Sequence, residues 1–317
     1  MKKRIVGLIV SIAIAGSLAA TPVTAQDEDL TIASSLPWYG FPFFVHMQKE
    51  IDAKAAELGV AINATDGGNT VDKQTADVEA AVTRPDDGIL ISPGDAVAMQ
   101  PAIQDAINAG IPVVTVDRRL ADAEGLLAHV GADNVKGGEA QGLLIMEGFP
   151  DGATIVNLLG QLGSSAAIER AQGVHNILDA EPEKYPFIVE ETAEFDLATA
   201  VTVTENILAG LDAPPDVIVA ANDSMALGAL QVAQEQGLDI AIIGFDALPE
   251  ALESIRDGGL WATVEQFPGG QSTTALQILV DNLRDGTVPE SDLVLLTPVT
   301  ITSENFDVAE RLGELGE

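Results

Sequence analysis

Polar side chains with complementary hydrogen-bonding chemistry stand at the ends of several apolar runs in this sequence. The run IPVVTVDRR (residues 111–119) begins as apolar as a strand buried on both faces and ends in an acid and two bases. Other runs end in the same way, and their polar ends are Ser92, Asp117 with Arg118, Asn222 with Asp223, Asp246, and Glu265 with Gln266. Carboxylates accept hydrogen bonds, guanidinium groups donate them in a planar fork, and amides do both. This set suits a small molecule with many hydroxyl groups, and it contains no cluster typical of metal ligands.

A helix N-cap is the alternative explanation for each of these residues taken singly, because Asn, Asp and Ser favour that position. Arg118 and Gln266 do not fit this alternative, since their side chains cannot cap a helix N-terminus in that way. Both interpretations stay open for the Asn, Asp and Ser positions.

Aromatic residues are concentrated near the N-terminus. Of the 13 in the chain (9 Phe, 2 Trp and 2 Tyr), five crowd into PWYGFPFF, at Trp38, Tyr39, Phe41, Phe43 and Phe44. Two prolines and a glycine make the start of this segment a loop after the first strand, and loops of this kind often carry function. Because aromatic rings cover the C–H faces of sugars, the cluster favours a binding platform. The alternative is a hydrophobic staple that packs under the first helix.

The elements that would carry these residues alternate between strands and helices. The strand candidates are LTIASS, VAINAT, DGILISP, IPVVTVD, ATIVNLLG, PFIVEET, DVIVAAND, IAIIGFD and WATVEQF, and helical stretches separate most of them. This alternation predicts parallel sheets covered on both faces. The chain length and a break in the pattern near residues 121–134 predict two such sheets. Ligands bind beyond the carboxyl ends of parallel strands, so the polar strand ends belong to one kind of place.

The chain is strongly acidic, with 49 Asp and Glu against 15 Lys and Arg and a formal net charge of −34. This excess repels phosphate backbones and anionic lipid headgroups, which disfavours nucleic-acid and membrane-surface functions. The sequence has no cysteine, which excludes disulfides, a thiol nucleophile, a Cys-based metal site and a lipoprotein anchor. We expect no metal and no other cofactor.

Residues 1–25, MKKRIVGLIVSIAIAGSLAATPVTA, follow the order of a secretory signal peptide: a basic start, an apolar stretch and small residues before a cleavage point near Ala25. Cleavage would leave a mature chain that begins near Gln26. Because three bases and no acid are removed, the formal net charge would change from −34 to −37. The alternative is an uncleaved membrane anchor, but small and polar residues interrupt the stretch, and it is short for a ~20-residue span.

Motifs of common enzyme classes are absent from the sequence. It contains no glycine-rich dinucleotide loop, no phosphate-cradling G-x-x-x-x-G-K-[ST] and no G-x-S-x-G nucleophile turn. Its three histidines, His46, His129 and His175, show no ligand spacing. We therefore expect a binding protein and not an enzyme.

Eight segments, in order and over nearly the whole mature chain, resemble the periplasmic ribose-type substrate-binding proteins of ABC transporters. They read PFFVHM, DGILISPGDAVA, AGIPVVTVDRR, GADNVKGGEAQG, SSAAIERAQG, ANDSMALGAL, IGFDALPEAL and ATVEQFP. The resemblance implies an α/β fold of two similar doubly wound parallel-sheet lobes joined by a three-segment hinge, the type I periplasmic binding protein fold. The N-terminal lobe would comprise residues 26–132 and 267–295, and the C-terminal lobe residues 133–266 and 296–317.

The function implied by the resemblance is that of a periplasmic substrate-binding component of an ABC-type sugar importer. Such a protein captures a monosaccharide, here a pentose, a hexose or a related polyol, between its lobes and delivers it to an inner-membrane permease. We expect a monomer with no nucleic-acid partner. The alternative is a sugar-sensing protein that presents its ligand to a chemoreceptor or a sensor kinase. A sugar-responsive repressor shares the two-lobed core, but it needs a helix-turn-helix where this chain has its export signal.

The family's binding residues map onto this sequence position by position. Phe43 and Phe44 match an aromatic pair over one face of the sugar ring, and Phe195 matches the aromatic residue on the other face. The polar contacts correspond to Asp117, Arg118, Arg170, Asn222, Asp246 and Gln266, and we expect Arg118 to be reachable by solvent at its strand end.

Two further positions in the predicted ligand-binding set depart from the family pattern. Phe41 and Ser92 stand where ribose-binding members have Asn. A phenyl group cannot pair with a ring hydroxyl, so we expect ribopyranose to be a poor ligand and another monosaccharide or polyol to be preferred. The segment before Phe41 is also two residues longer than in the family. Whether its Trp38 and Tyr39 contact the ligand stays open.

Overall fold

Strands and helices alternate along the chain in the computed structural model, which describes residues 30–84 and 86–315. The first elements are β1 (Thr31–Leu36), α1 (Pro42–Leu58), β2 (Ala61–Asp66), α2 (Val71–Thr83), β3 (Gly88–Ile91), α3 (Gln100–Asn108), β4 (Val113–Val116) and β5 (Ala128–Ala132). The next are α4 (Asn134–Gly148), β6 (Ile155–Leu159), α5 (Ser165–Leu178), β7 (Phe187–Thr192), α6 (Leu197–Gly210), β8 (Val217–Ala220), α7 (Asp223–Gln236), β9 (Ala241–Ile243) and α8 (Pro249–Arg256). The last are β10 (Thr263–Glu265), α9 (Pro268–Asp285), β11 (Leu293–Leu296), β12 (Val299–Ile301) and short 3₁₀ turns at Phe306–Val308 and Leu312–Glu314. The predicted signal peptide and its cleavage point lie outside the described residues.

Two parallel sheets organise this part of the chain. The first has the strand order β11-β5-β4-β3-β1-β2 and the second the order β7-β6-β8-β9. Neighbouring strands run parallel throughout both sheets. The predicted α/β fold with two parallel-sheet lobes is therefore confirmed. We call the part built on the first sheet the first lobe and the part built on the second sheet the second lobe; the predicted boundaries between them stay predictions.

Apolar sequence explains which strands lie in the middle of each sheet. Every residue of β3 (GILI), β4 (VVTV) and β8 (VIVA) is buried, because helices cover both faces of a parallel sheet. The side chains of the edge strands β2 and β7 are instead exposed or only partly buried. The buried central strands hold the strand ends, and with them the polar residues that follow, in fixed positions.

Local sequence sets where the helices nearest the strand ends begin and stop. Helix α1 starts with Pro42, whose ring fits the first turn, and stops at Gly59, which has the left-handed φ of 68°. Helix α7 starts after Asn222, whose side-chain oxygen accepts a hydrogen bond from the backbone N–H of Met225 at 3.0 Å. Both helices thus begin directly beside a residue of the predicted ligand-binding set.

The strand predicted from WATVEQF differs from the expectation of a parallel sheet. β10 pairs antiparallel with β12 in a separate two-stranded sheet. A bridge between Ile243 and Ala262 and a backbone hydrogen bond from Asp246 to Val264 connect this region to β9 and the residues that follow it. β10 leads out of the second lobe into α9, which packs on α1 and on β3, β4 and β5 of the first lobe. β12 runs back from β11, an edge strand of the first sheet. The two segments cross between the lobes in opposite directions, which is why they pair antiparallel.

Five of the described helices and strands were not predicted from the sequence pattern, namely β5, α8, α9, β11 and β12. β5 lies in the break near residues 121–134, where AHVGA is too short and too small in its side chains to stand out as a strand. Helix α8 has only eight residues, and α9 begins with Pro-Gly-Gly, which is typical of a loop. Among the described residues, no helix combines the length and the hydropathy needed to cross a membrane.

Candidate functional site

A small cavity lies between the two lobes, and nearly all of the predicted ligand-binding residues line it. Its wall consists of Phe41, Phe43, Phe44, Asp117, Arg118, Ala166, Arg170, Phe195, Asn222, Asp246 and Gln266. Ten of the eleven predicted residues are in this wall, and Ala166 is the one wall residue that the sequence did not suggest.

Ser92 is the predicted residue that the cavity wall does not include. It is fully buried, and its hydroxyl donates a hydrogen bond to Oδ2 of Asp117 at 3.2 Å. Ser92 therefore lies outside the cavity wall and orients the carboxylate of Asp117, which is part of that wall. A longer Asn side chain at this position, as in ribose-binding members, would have more reach towards the cavity.

Strand ends and helix starts supply the polar part of the wall. Asp117 and Arg118 follow β4, Asp246 comes after β9, and Gln266 directly follows β10. Asn222 caps α7 and Arg170 projects from α5. This is the region beyond the carboxyl ends of parallel strands where ligands bind in such folds.

Unusual backbone geometry accompanies three of the wall residues. Asp117 (φ 62°), Phe195 (φ 60°) and Asp246 (φ 113°) all adopt positive φ angles. Non-glycine residues rarely take these angles, which cost of order 1–3 kcal/mol each and concentrate at functional sites. The positive φ angles mark these positions as candidates for function independently of the side-chain types.

The aromatic wall comes from both lobes. Phe41 lies with its ring centroid 6.5 Å from that of Phe195 in an edge-on arrangement, and Phe43 and Phe44 meet edge-on at 5.3 Å. Trp38 packs edge-on against Phe41 at 5.0 Å, behind the wall and not in it. Tyr39 is also outside the wall, and its hydroxyl donates to Gln48 at 3.1 Å. Part of the cluster therefore lines the cavity and part of it packs behind the wall, and the role of a binding platform stays a prediction.

Arg118 is buried and not reachable by solvent, contrary to our expectation, with only 3% of its surface exposed. Its guanidinium carbon lies 5.3 Å from the ring centroids of both Phe44 and Phe195, so the two lobes hold it between aromatic rings. Burial lowers the pKa of Arg118 to about 10, opposed by the nearby Asp117 carboxylate, so the guanidinium stays charged at neutral pH. Burial raises the pKa of Asp117 above its usual value, and the positive charge of Arg118 opposes this shift only in part.

Arg170 and Asp246 form a second buried pair, with Nη1 3.4 Å from Oδ1. Arg170 also donates to the side chain of Asn134 at 2.9 Å and to the backbone oxygen of Ala221 at 2.7 Å. The amide of Gln266 donates to Asp246 at 2.6 Å. Burial raises the pKa of Asp246 to about 7, even though the positive charge of Arg170 lowers it. The cavity therefore offers two guanidinium groups and two carboxylates whose mutual pairing leaves hydrogen-bonding capacity free for hydroxyl groups.

Asn222 caps a helix and also lines the cavity, so the cap interpretation is confirmed for it and the ligand contact stays a prediction. Its Oδ1 caps α7, and its Nδ2 donates to the backbone oxygen of Phe195 at 3.1 Å. The cap therefore fixes the amide, and the amide in turn holds the loop that carries the aromatic ring of the second lobe.

Hydrogen bonds across the cleft mouth enclose the cavity. Gln161, which follows β6 of the second lobe, accepts from Nη1 of Arg118 at 3.0 Å and donates to Asn69 of the first lobe at 2.7 Å. The backbone N–H of Arg119 donates to Ser165 at 2.9 Å. The lobes are thus in contact in a closed arrangement. Gln161 was not predicted from the sequence. The signal was available, because Gln161 is a polar residue that follows closely on the strand ATIVNLLG, as the predicted site residues follow their strands.

The histidines lie away from this cavity. His46 is buried on α1 beside Glu310 and Glu314, and its nearest nitrogen–oxygen distance is 3.1 Å. Burial lowers the pKa of His129 to about 3, and its ring pairs with Thr115 in the first sheet. Within the described ranges, no group of histidine and acidic side chains could hold a metal ion.

Comparisons with known proteins find similar sequences and similar structures. A family model described as a periplasmic binding protein domain matches residues 32–287. The ribose import binding protein of Bacillus subtilis (strain 168) is 40% identical over 247 residues, which cover 77% of this chain and 79% of that protein. The Caulobacter myo-inositol binding protein, solved with myo-inositol bound, is 40% identical with a TM-score of 0.88 and covers 92% of this chain and 100% of its own. An ABC transporter solute binding protein from Bacillus halodurans C-125, also with bound myo-inositol, is 26% identical with a TM-score of 0.83, covering 92% and 98%.

Proposed function

This chain belongs to the periplasmic binding protein family, and on that basis we propose that it captures a cyclic polyol between its lobes, with myo-inositol as the first candidate. It is the sugar-binding component of an ABC-type importer, the role that its relatives have. The comparisons do not support the alternative of a sensing protein. The relatives are solute-binding proteins, and we propose accordingly that this chain catalyses no reaction.

Phe41 carries the choice of ligand. Its side chain is 5% exposed and its phenyl ring forms part of the cavity wall, where ribose-binding members have an Asn. A ribose hydroxyl directed at this ring would lose its hydrogen bond on closure, at a cost of ~1–3 kcal/mol. The hydroxyl of Ser92 is turned towards Asp117, so it offers no replacement. These two positions argue against ribose in spite of the 40% identity to a ribose import binding protein.

The chemistry of myo-inositol fits the rest of the wall. All but one of its hydroxyls are equatorial, so they point outward from the ring rim and leave C–H bonds on the ring faces. The rim hydroxyls can pair with the carboxylates, guanidinium groups and amides. The C–H faces can lie against phenyl rings such as Phe41, which need no hydrogen bond. The Caulobacter relative, whose structure contains myo-inositol, supports this assignment.

Capture would follow from a cavity with half of its wall on each lobe. Phe43, Phe44, Asp117 and Arg118 come from the first lobe, Arg170, Phe195, Asn222 and Asp246 from the second, and Gln266 from a segment that crosses between them. A ligand that touches both halves binds the closed arrangement better than an open one, and this difference drives closure. All eleven predicted residues are proposed to act here, ten in contact with the ligand and Ser92 through Asp117.

The remaining features of the proposal concern location and partners. Family membership implies a periplasmic location, and we propose cleavage near Ala25. We further propose that the chain is a monomer, that it delivers its ligand to an inner-membrane permease, and that its lobes meet at the boundaries predicted from the sequence.

A ligand screen tests the proposal. Thermal melting of the mature protein should be measured with myo-inositol, D-ribose, D-allose and D-mannitol, followed by isothermal titration calorimetry of each ligand that shifts the melting temperature. A ligand at ~100 times its Kd adds about 2.7 kcal/mol of stability. Because the tightest-binding ligand gives the largest stabilisation at a given concentration, we expect myo-inositol to raise the melting temperature most. D-mannitol is the matched control, because it has as many carbons and hydroxyls but no ring. Binding of D-ribose as tight as that of myo-inositol would contradict the assignment.

A further inference from the structure

Gln161 bridges the two lobes and touches a residue of the cavity wall. It lies in the loop between β6 and α5 and is half-buried. Its Oε1 accepts from Nη1 of Arg118 at 3.0 Å, and its Nε2 donates to Oδ1 of Asn69 at 2.7 Å. Both partners belong to the first lobe. A neutral amide can accept from one partner and donate to the other, which neither a carboxylate nor an ammonium group can do.

The contact with Arg118 fixes the orientation of the guanidinium group. Apart from Gln161, the same Nη1 atom has only a longer contact, to the backbone oxygen of Gly94 at 3.4 Å, and Nε is 3.9 Å from the carboxylate of Asp117. The short hydrogen bond across the lobes is therefore the best-formed polar contact of this group. It can exist only while the lobes are closed.

Other polar contacts between the lobes include pairs that join residues outside the cavity wall. The backbone N–H of Ala96 donates to the oxygen of Gly163 at 2.9 Å, and Arg119 pairs with Glu169. Arg119 and Glu169 are absent from the cavity wall. Gln161 differs because its partner Arg118 lines the cavity. A second cavity has Gln161, Asn69 and Gly94 in its lining.

We propose that Gln161 is a positioning residue that ties the ligand-binding guanidinium of Arg118 to lobe closure and so slows ligand release. The inference rests on the proposed function, since it concerns the same cleft. A bound ring that pairs with Arg118 keeps the guanidinium in place for Gln161, and Gln161 keeps the lobes together over the ring. Release then requires both hydrogen bonds of Gln161 to break.

The test is a comparison of binding kinetics for Gln161→Ala and the unaltered protein. Stopped-flow fluorescence with myo-inositol and, separately, with D-ribose gives kon and koff, with Trp38 beside the cavity wall as the intrinsic probe. We expect koff to rise by roughly tenfold for each compound, the factor that corresponds to about 1.4 kcal/mol, and kon to stay within twofold. The melting temperature of the ligand-free protein should not change, because Gln161 is only half-buried on a loop.

Two further variants separate positioning from a general effect on the loop. Leu162→Ala is the matched control, since Leu162 is the next residue and is 70% exposed; its koff should equal that of the unaltered protein. Gln161→Glu keeps an acceptor for Arg118 but loses the donation to Asn69, so its koff should lie between the koff of Gln161→Ala and that of the unaltered protein. If Gln161→Ala releases both compounds as slowly as the unaltered protein, or if Leu162→Ala speeds release equally, the role of Gln161 is refuted. Failure of myo-inositol to bind would contradict only the proposed ligand, because the D-ribose comparison still measures the effect of Gln161.

Discussion

Replacing Arg118 with Lys removes the planar guanidinium group and keeps the positive charge. In the structure this group lies between Phe44 and Phe195, with its central carbon 5.3 Å from each ring centroid. It also donates to Gln161 across the cleft. A lysine ammonium group can donate to a ligand hydroxyl, but it cannot fork across two neighbouring oxygens or lie flat between two rings.

The size of the effect follows from these contacts. A hydrogen bond that involves a charged group contributes ~1.5–3 kcal/mol. A desolvated cation over an aromatic ring contributes ~0.5–2 kcal/mol, of which the ammonium group keeps a part. We therefore expect Arg118→Lys to weaken binding by at least ~1.5 kcal/mol, which is a Kd at least about tenfold higher.

Isothermal titration calorimetry with the tightest-binding compound of the screen measures this change. Arg119→Lys is the matched control, because Arg119 is the neighbouring arginine, its side chain is 45% exposed, and it is absent from the cavity wall. Its Kd should change by less than threefold. The melting temperature of each ligand-free variant shows whether folding is intact, which matters here because Arg118 is buried. Equal binding by folded Arg118→Lys and the unaltered protein would refute the assignment of Arg118 to the ligand site.

Three other predictions test different parts of the molecule. Phe41→Asn combined with Ser92→Asn should shift preference towards D-ribose. If the variant side chains restore a hydrogen bond worth ~1–3 kcal/mol, the ratio of the D-ribose Kd to the myo-inositol Kd should fall by about fivefold or more; an unchanged ratio in calorimetry would show that these positions do not set specificity. Burial raises the pKa of Asp246 from 3.8 to about 7, so between those values the folded protein binds more protons than the unfolded chain and its stability falls as pH rises. In Asp246→Asn that contribution is gone, so the melting temperature should fall less over the same pH window; an identical pH profile for both proteins would contradict the raised pKa. Intact mass of protein recovered from the periplasm should match a chain that starts near Gln26, and a soluble product that retains residues 1–25 would rule out cleavage.

The sequence predicted the architecture because each signal was local. Buried strands such as VVTV and VIVA are continuous apolar runs, and the helices between them have ordinary length and pattern, so the two parallel sheets followed from periodicity. β5 and α9 were missed because their own residues resemble loops. They are stabilised by packing between parts of the chain that are far apart in sequence, which a local pattern does not contain.

The membership of the site was predictable, but its internal contacts were not. Strand ends and the family pattern together located ten of the wall residues. The burial of Arg118 depends on the second lobe closing over it, with Phe195 and Gln161 as its neighbours from that side. A strand end examined alone is open to solvent, which is why the sequence suggested an exposed side chain.

The positive φ angles at Asp117, Phe195 and Asp246 limit how this cleft could be re-engineered as a sensor for another metabolite. A mutant library that randomises the wall freely would include valine, isoleucine and threonine at these positions, and their branched side chains clash with a backbone of positive φ. Those members of the library would lose stability in their loops without gaining a new specificity. At these positions a productive library would use asparagine, aspartate, histidine and glycine, and it would place its chemical diversity at Phe41, Ser92 and Ala166.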